Sequence, residues 1–274
     1  MGDSFSALEL RSASTIVADL QQGHLVQGIE RLEALKNDVY AAIPDRRRRS
    51  RGITWVVQRI SKLLLTVCEG ESEAKEIALI LYRRIERSDR LIGVPIFLMA
   101  AYGRGHFGEV IEFFEHVADA ENWEVREFAA GGFRSLLRPN KAEALPWLKR
   151  TAMSKSPNVR RFVSEMLRPV AKGRWLIHEP KYSLSVLRLM FREAHPYPRT
   201  SVGNNLSDLS KHHPGLIFSI IDELAATGDQ NSHWIAYRAC RNLVKEYPER
   251  VMDALGIDEY HYKDRHFYRE ENRT

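Results

Sequence analysis

The sequence predicts an all-α fold built from stacked helical repeats. Apolar residues recur at steps of three and four positions along the first third of the chain, which is the period of an amphipathic helix. Alternating strand patterns bounded by Asn-Gly or Asp-Gly turns are absent from the sequence. An arginine-centred phrase then recurs further along the chain. These three observations together predict helix after helix and no sheet.

Three amphipathic patterns come first, within residues 25–35, 56–64 and 77–85. Each presents one apolar stripe made mainly of Leu, Ile and Val, so we expect each to bury one face of a helix. Between the first two patterns, Pro44 precedes the basic run DRRRRSRG, which predicts a loop over 45–52.

The arginine-centred phrase marks four repeats. It reads NWEVREF around Arg126, PNVRRF around Arg160, PYPRTSV around Arg199 and HWIAYRAC around Arg238, at separations of 34, 39 and 39 residues. That spacing is close to the period of HEAT-type paired helices, which stack because neither helix buries its apolar face alone. We therefore expect an α-solenoid of HEAT-like repeats over residues 1–256, as a single domain, followed by a charged tail over 257–274.

Register within the repeat separates core from surface. Positions two, three and seven after each of the first three arginines form an almost wholly apolar stripe: Phe128, Ala129, Phe133, Phe162, Val163, Leu167, Ser201, Val202 and Leu206. Positions one, five and nine lie on another face, where Glu165, Asn204 and Asp208 are expected to line a groove. Asn205 lies nearer the core register, and it is predicted to bond a backbone carbonyl of the neighbouring repeat.

Composition narrows the class of protein. A chain of 274 residues with 44% hydrophobic and 28% charged residues is long enough to bury a core. The formal charge of +5 favours a polyanionic partner. No stretch approaches the roughly 20 apolar residues of a membrane span, so we expect a protein of the cytoplasm with no membrane contact. We also expect a monomer.

Disulfide and metal chemistry are not expected. Cys68 and Cys240 stand far apart without metal-ligand spacing, which predicts two buried free thiols. His261 and His266 near the C-terminus have no acidic or cysteine partner at ligand spacing.

Two stretches resemble the DNA alkylation repair family of HEAT-like DNA glycosylases, and its AlkC branch more than its AlkD branch. The first, PNVRRFVSEMLRP at 157–169, matches a run of the form Val-Arg-Arg-x-x-Ser-Glu-x-x-Arg-Pro. The second, at 198–217, contains Ser-Val-x-Asn-Asn-Leu-x-Asp. The similarity covers roughly residues 110–256. It implies a concave DNA-binding face and excision of N3- or N7-alkylated purines from double-stranded DNA, without metal or cofactor.

The resemblance also assigns catalytic candidates. Glu165 and Asp208 match the family's acidic positions, and Trp175 resembles its aromatic one, ten residues after the glutamate rather than eight. A further acidic position of the AlkC-like pattern falls on Asn122. Trp123 and Glu127 stand at i and i+4, resembling an AlkD-like Trp and Asp pair on one helical face, although Trp123, like Trp234, also fits a packing role between repeats.

Basic residues around the two carboxylate phrases are candidates for phosphate contacts. Asn204 joins them as a groove-facing polar residue. The candidates are Arg160, Arg161, Arg168, Lys172, Arg174, Arg199, Asn204 and Lys211, together with Arg46, Arg47, Arg48 and Arg49 of the basic run. The recurrence of Arg126 and Arg160 at one repeat position favours an architectural role, in which each is buried against a neighbouring acidic residue, over a contact with DNA.

Three functions stay open at this point. The first is an alkylpurine DNA glycosylase in which Glu165 and Asp208 stabilise the sugar oxocarbenium ion. The second is a non-catalytic relative that binds damaged, bent or branched DNA through the same groove. The third is a protein-binding HEAT scaffold, which requires an apolar or acidic concave face rather than a basic one.

Overall fold

The computed structural model describes residues 4–86 and 89–261. Within these ranges the regular structure is helical and no strand occurs, which confirms the predicted all-α fold. Of the predicted tail, residues 262–274 lie outside the described residues, and so does His266. The chain divides into two compact units, unit 1 up to Asn140 and unit 2 from Lys141. The single domain over 1–256 stays a prediction.

In its described residues, unit 1 contains eight α-helices and one 3-10 turn. They are α1 Ala7–Gln21, α2 Leu25–Ala41, α3 Asp45–Arg48, α4 Ile53–Val67, α5 Glu71–Arg84, the 3-10 turn Arg90–Ile92, α6 Gly93–Tyr102, α7 Phe107–Ala118 and α8 Trp123–Leu137. The three predicted amphipathic patterns lie in α2, α4 and α5, with Ile85 just after the last of them. Val26 is exposed rather than buried, because it faces away from the contact of α2 with α1 and α4.

The basic run corrects one expectation. Residues 45–52 are not loop throughout, because Asp45–Arg48 form the single helical turn α3. Pro44 stands as its N-cap, and Asp45 lies in the first turn with its carboxylate 3.2 Å from the guanidinium of Arg48. An acidic residue at the positive end of a helix and arginines at the negative end favour this turn.

Unit 2 has the same helical character. Its elements are α9 Lys141–Thr151, α10 Pro157–Met166, the 3-10 segment Ala171–Ile177, α11 Pro180–Leu187, the 3-10 turn Arg188–Met190, α12 Pro196–Ser210, α13 Pro214–Ala225, α14 Gln230–Leu243 and α15 Pro248–Leu255. Five of these helices begin with proline, whose fixed φ suits the first helical position and whose missing N–H is not needed there.

Helices α10, α12 and α14 carry the second, third and fourth repeat arginines, and α12 packs against both of its neighbours. Every residue of the predicted apolar stripe is buried, in α8 as well as at the α10 and α12 positions. The register read from the arginine phrases is therefore confirmed.

Side-chain amides tie successive repeats of unit 2 together. Asn205 Nδ2 donates to the carbonyl of Ser164 across the α10–α12 contact at 2.9 Å, which confirms its predicted role. Asn242 Nδ2 repeats the arrangement one repeat on, donating to the carbonyl of Ser207 at 2.7 Å. A buried carbonyl left unpaired costs about 1–3 kcal/mol, so these bonds fix how neighbouring repeats stack.

The first two repeat arginines make the same contact with backbone carbonyls. Arg126 Nη1 donates to the carbonyls of Ala120 and Glu121, both at 2.7 Å. Arg160 Nη1 donates to the equivalent carbonyls of Ser154 and Lys155, at 2.8 and 3.0 Å. In both repeats the guanidinium pairs carbonyls of the turn that leads into its own helix, so turn formation explains the recurrence of Arg126 and Arg160.

Thiol, metal and membrane features can be stated for the described ranges. Cys68 and Cys240 are free, the second buried and the first half-buried. No cluster of three or more His, Cys, Asp or Glu side chains in these ranges is placed to hold a metal ion. The helices described there are too short or too polar to cross a membrane.

Candidate functional site

Glu165 and Asp208 come together in unit 2, one from α10 and the other from α12. Arg168, which follows α10, joins them. Its Nε and Nη2 donate to Asp208 Oδ2 at 2.9 and 2.6 Å, and its Nη1 donates to Glu165 Oε2 at 3.3 Å. The sequence places the two carboxylates 43 positions apart, and stacking of the repeats brings both to one guanidinium. We call Glu165, Asp208 and Arg168 the carboxylate cluster.

Further polar groups hold each carboxylate. Glu165 Oε1 accepts from the Ser201 hydroxyl at 2.6 Å and lies 3.7 Å from the guanidinium of Arg161. The carboxylate side chains of Glu165 and Asp208 are only 8% and 7% exposed, so their charges are almost wholly removed from water.

Cations surround Asp208 on its other side. Its Oδ1 lies 3.4 Å from Lys211 Nζ and 3.7 Å from Arg241 Nη2. Positive side chains thus outnumber carboxylates in and around the cluster. This excess of positive charge is suited to a polyanion that approaches the surface.

The electrostatics of Arg168 follow from these contacts. Burial acts to lower the pKa of its guanidinium, but the carboxylates of Glu165 and Asp208 raise that pKa above its usual value. Arg168 therefore stays protonated and is shared between both carboxylates in the free protein.

A pocket of about 420 Å³ opens beside Glu165. It lies between α10 and the first turns of α12, and its lining residues are Arg161, Glu165, His195, Pro196, Tyr197, Thr200, Ser201 and Asn204. The guanidinium of Arg161 stacks 4.5 Å from the ring centre of Tyr197. The pocket thus offers an aromatic wall, a cation and a carboxylate to a ligand of modest size.

Asn204 lines this pocket and is held in place by α14. Its Oδ1 accepts from Arg238 Nε at 2.9 Å and from Arg241 Nη1 at 3.4 Å. Since Arg241 also lies beside Asp208, Asn204 and Asp208 share one cationic neighbour.

Two arginines named as candidates for phosphate contacts are paired within the protein, and for Arg160 this confirms the predicted architectural role beside an acidic residue. Arg160 donates to both carboxylate oxygens of Glu193, at 2.6 and 2.9 Å. Arg199 is buried, bonds the Asn231 side chain and lies 4.7 Å from the ring centre of Trp234. Both guanidinium groups link neighbouring elements of unit 2.

Trp175 is not brought to the carboxylate cluster. Its ring is buried and packs edge-on against Tyr182, with ring centres 5.2 Å apart. Its burial matches that of Glu165 and Asp208, so burial alone does not exclude the aromatic role, which stays a prediction. Its neighbours Lys172 and Arg174 on the same 3-10 segment are exposed.

The unit 1 candidates are presented on the surface. Trp123 begins α8 and is 62% exposed, so its predicted packing between repeats is wrong, whereas Trp234 does pack on Arg199. Glu127 is exposed one turn further along α8. Asn122 caps the helix by accepting from the backbone N–H of Glu124 at 2.9 Å. The arginines of the basic run, Arg46, Arg47, Arg48 and Arg49, are exposed on α3 and directly after it.

Sequence reasoning missed Ser201, Glu193 and Arg241. A signal for Arg241 was available, because it stands three positions after Arg238, where the other three repeats have Ala129, Val163 and Val202. A charge at a core position of the repeat indicates a special partner, and here that partner is Asp208.

Comparison with known proteins shows similarity in sequence to a bacterial protein and in structure to a DNA glycosylase. No protein-family model matches the chain. The uncharacterized protein YhaZ of Bacillus subtilis (strain 168) is 30% identical over 164 residues, which are 57% of this chain and 43% of YhaZ. The match therefore spans less than half the length of that relative.

Among solved structures, the Pseudomonas fluorescens alkylpurine DNA glycosylase AlkC, bound to DNA containing an abasic site analog, superposes with a TM-score of 0.59. The superposition covers 90% of this chain and 66% of that one at 19% identity. The fold is a HEAT-like helical repeat. AlkD2 from Streptococcus mutans superposes less well, with a TM-score of 0.49 at 22% identity over 69% of this chain and 98% of AlkD2.

Proposed function

We propose that this protein binds double-stranded DNA through the surface of unit 2 around Glu165 and Asp208, and that it excises cationic N3- or N7-alkylated purines. One observation carries the proposal. Two buried carboxylates from successive repeats converge on one cation, beside an open pocket and within a set of basic side chains.

The chemistry of an alkylated purine suits such a site. The base is already positively charged, so the electron pair of the N-glycosidic bond leaves with it and no general acid is required. The deoxyribose is left as an oxocarbenium ion, and water then adds to C1′ and loses a proton. Carboxylates held close to the sugar stabilise the positive charge that develops there. Glu165 and Asp208 are the groups we assign to this task.

Basic residues supply the DNA contacts in this proposal. Arg161, Lys211 and Arg241 lie around the carboxylates, and Lys172 and Arg174 are exposed on the following segment. Contacts of this kind position the duplex without reading its sequence. In unit 1, the candidates for further contacts are the exposed Trp123 and Glu127 and the arginines from Arg46 to Arg49.

The fold supports a DNA partner, since the AlkC structure that shares it is bound to DNA. The charge of the site supports the same partner. A protein-binding scaffold would call for an apolar or acidic surface, whereas cations predominate around Glu165 and Asp208.

Base release tests the proposal. Methylated duplex DNA is incubated with enough protein to saturate it, and free 3-methyladenine and 7-methylguanine are quantified against time. We expect release faster than spontaneous loss. Release at the spontaneous rate, with binding shown to be saturated, would rule out excision.

A second function is favoured by one specific contact. Because Arg168 pairs with both carboxylates, the same surface could bind damaged, bent or branched DNA without cleaving it. Such binding weakens with added salt, since each phosphate contact releases counterions. It also survives Glu165→Gln and Asp208→Asn, which remove negative charge from the surface. Base release by the wild-type protein excludes this second function.

A further inference from the structure

Arg168 binds the two carboxylates of the cluster through different nitrogens of its guanidinium. Nε and Nη2 point at a single oxygen of Asp208, while Nη1 points at Glu165. At 25% exposure, the Arg168 side chain is also the most exposed member of the cluster. The group that faces outward is thus the cation and not the carboxylates.

We propose that Arg168 is a specificity-determining residue, because its guanidinium occupies the position that the positive charge of the substrate must take. The proposal rests on the function proposed above. The free protein carries an internal substitute for the cationic nucleotide, and a ligand reaches Glu165 and Asp208 only by displacing it.

The energetics give this exchange its selectivity. Moving Arg168 away leaves two buried carboxylates without their shared cation, and the more distant Arg161, Lys211 and Arg241 compensate that loss only in part. Undamaged DNA brings no positive charge into the site, so Arg168 stays in place. A cationic lesion brings a replacement charge. The adjacent phosphate then offers two oxygen atoms to the planar guanidinium of Arg168, which can bind them in a bidentate manner.

The remaining contacts of the cluster suit this exchange. Ser201 and Arg161 hold Glu165, and Lys211 and Arg241 lie beside the Asp208 oxygen that Arg168 does not use. These groups keep both carboxylates in place when Arg168 leaves. The alternative is that Arg168 forms fixed ion pairs whose only role is to join α10 to α12.

Affinity for two abasic duplexes separates these possibilities. One duplex carries a positively charged pyrrolidine analogue of the abasic sugar, and the other carries the neutral tetrahydrofuran analogue. The Kd of each is measured by fluorescence anisotropy for the wild type and for Arg168→Gln, with Arg250→Gln as the control that removes an exposed cation paired with Asp222. Thermal unfolding confirms that each variant is folded.

We expect Arg168→Gln to raise the preference for the charged duplex over the neutral one by about tenfold, equal to about 1.4 kcal/mol. Arg168→Lys, which keeps the charge, should stay near the wild-type preference, and so should Arg250→Gln. Adding Asp208→Asn to Arg168→Gln should abolish the gain. If Arg168→Gln weakens both duplexes by the same factor, Arg168 only contacts phosphate or joins the helices, and the proposal is wrong.

The wild-type protein supplies a second measurement that does not depend on a stable variant. The Arg168 Nε–Hε resonance, assigned by its loss in Arg168→Lys, is followed during titration with each duplex. We expect the charged duplex to shift it and the neutral duplex to leave it in place. Identical shifts with both duplexes contradict the proposal.

These outcomes are distinct from failure of the proposed function. No base release, together with a gain of preference in Arg168→Gln, contradicts excision but supports the role of Arg168. Base release by the wild type without that gain supports excision and contradicts the role of Arg168. Failure to bind either duplex contradicts both.

Discussion

Gly203 of α12 packs closely against Arg238 of α14, and replacing it with alanine tests the packing that builds the site. A Cβ added there would lie 2.6 Å from both Cβ and Cγ of Arg238. Arg238 cannot move its Cβ away by rotating a side-chain bond, so the two helices must separate by roughly an ångström to reach normal contact. Overpacking of this kind costs about 1–3 kcal/mol.

Gly215 provides a matched control, because it lies on the first turn of α13 and a Cβ there meets no atom within 4 Å. Both Gly→Ala changes gain up to about 1 kcal/mol of helix propensity, so their difference isolates the clash. Urea unfolding followed by circular dichroism should show Gly203→Ala less stable than Gly215→Ala by about 1–3 kcal/mol. Equal midpoints would show that α12 and α14 are not in the close contact described.

Three further predictions concern stability and reactivity. Burial acts to raise the pKa of Glu193, but Arg160 lowers that pKa below its usual value. The pair therefore stabilises the fold at pH values above the unfolded pKa of about 4.5. This stability is lost as the pH falls through the lower pKa of the folded protein. Glu193→Gln should therefore lower the urea midpoint at neutral pH more than at about pH 3. Asn205→Ala should cost about 1–3 kcal/mol in the same assay, because the buried carbonyl of Ser164 loses its donor. Burial raises the pKa of the Cys240 thiol to about 12, so iodoacetamide should leave Cys240 unmodified at about pH 8 until the protein is unfolded.

The sequence predicted those features of the fold that depend on residues within one repeat or on the period of the repeat. The arginine phrase gave the register of the repeats, and with it the buried stripe and the inter-repeat bond of Asn205. The period of the repeat was also enough to place Glu165 and Asp208 on one side of successive helices. Their convergence follows from stacking at a fixed period, which a single sequence reveals when its repeats are recognisable.

Contacts between distant residues could not be predicted in the same way. The repeat position of Arg160 predicts an acidic neighbour, but the partner Glu193 lies 33 positions away in a segment that no motif marks. Trp175 matches an aromatic position of the family pattern, yet its ring packs against Tyr182. In both cases the type of residue was compatible with function, and its orientation was decided by tertiary packing.

The assignment of Asp208 to catalysis is tested most directly by single-turnover base release from methylated duplex DNA. Asp208→Asn is compared with the wild type and with Asp222→Asn, a matched change at a half-exposed carboxylate 3.3 Å from Arg250. We expect Asp208→Asn to slow release by about a hundredfold or more, as befits loss of a charge that stabilises the transition state, while Asp222→Asn keeps the wild-type rate. Equal rates for all three proteins would contradict a catalytic role for the buried carboxylates.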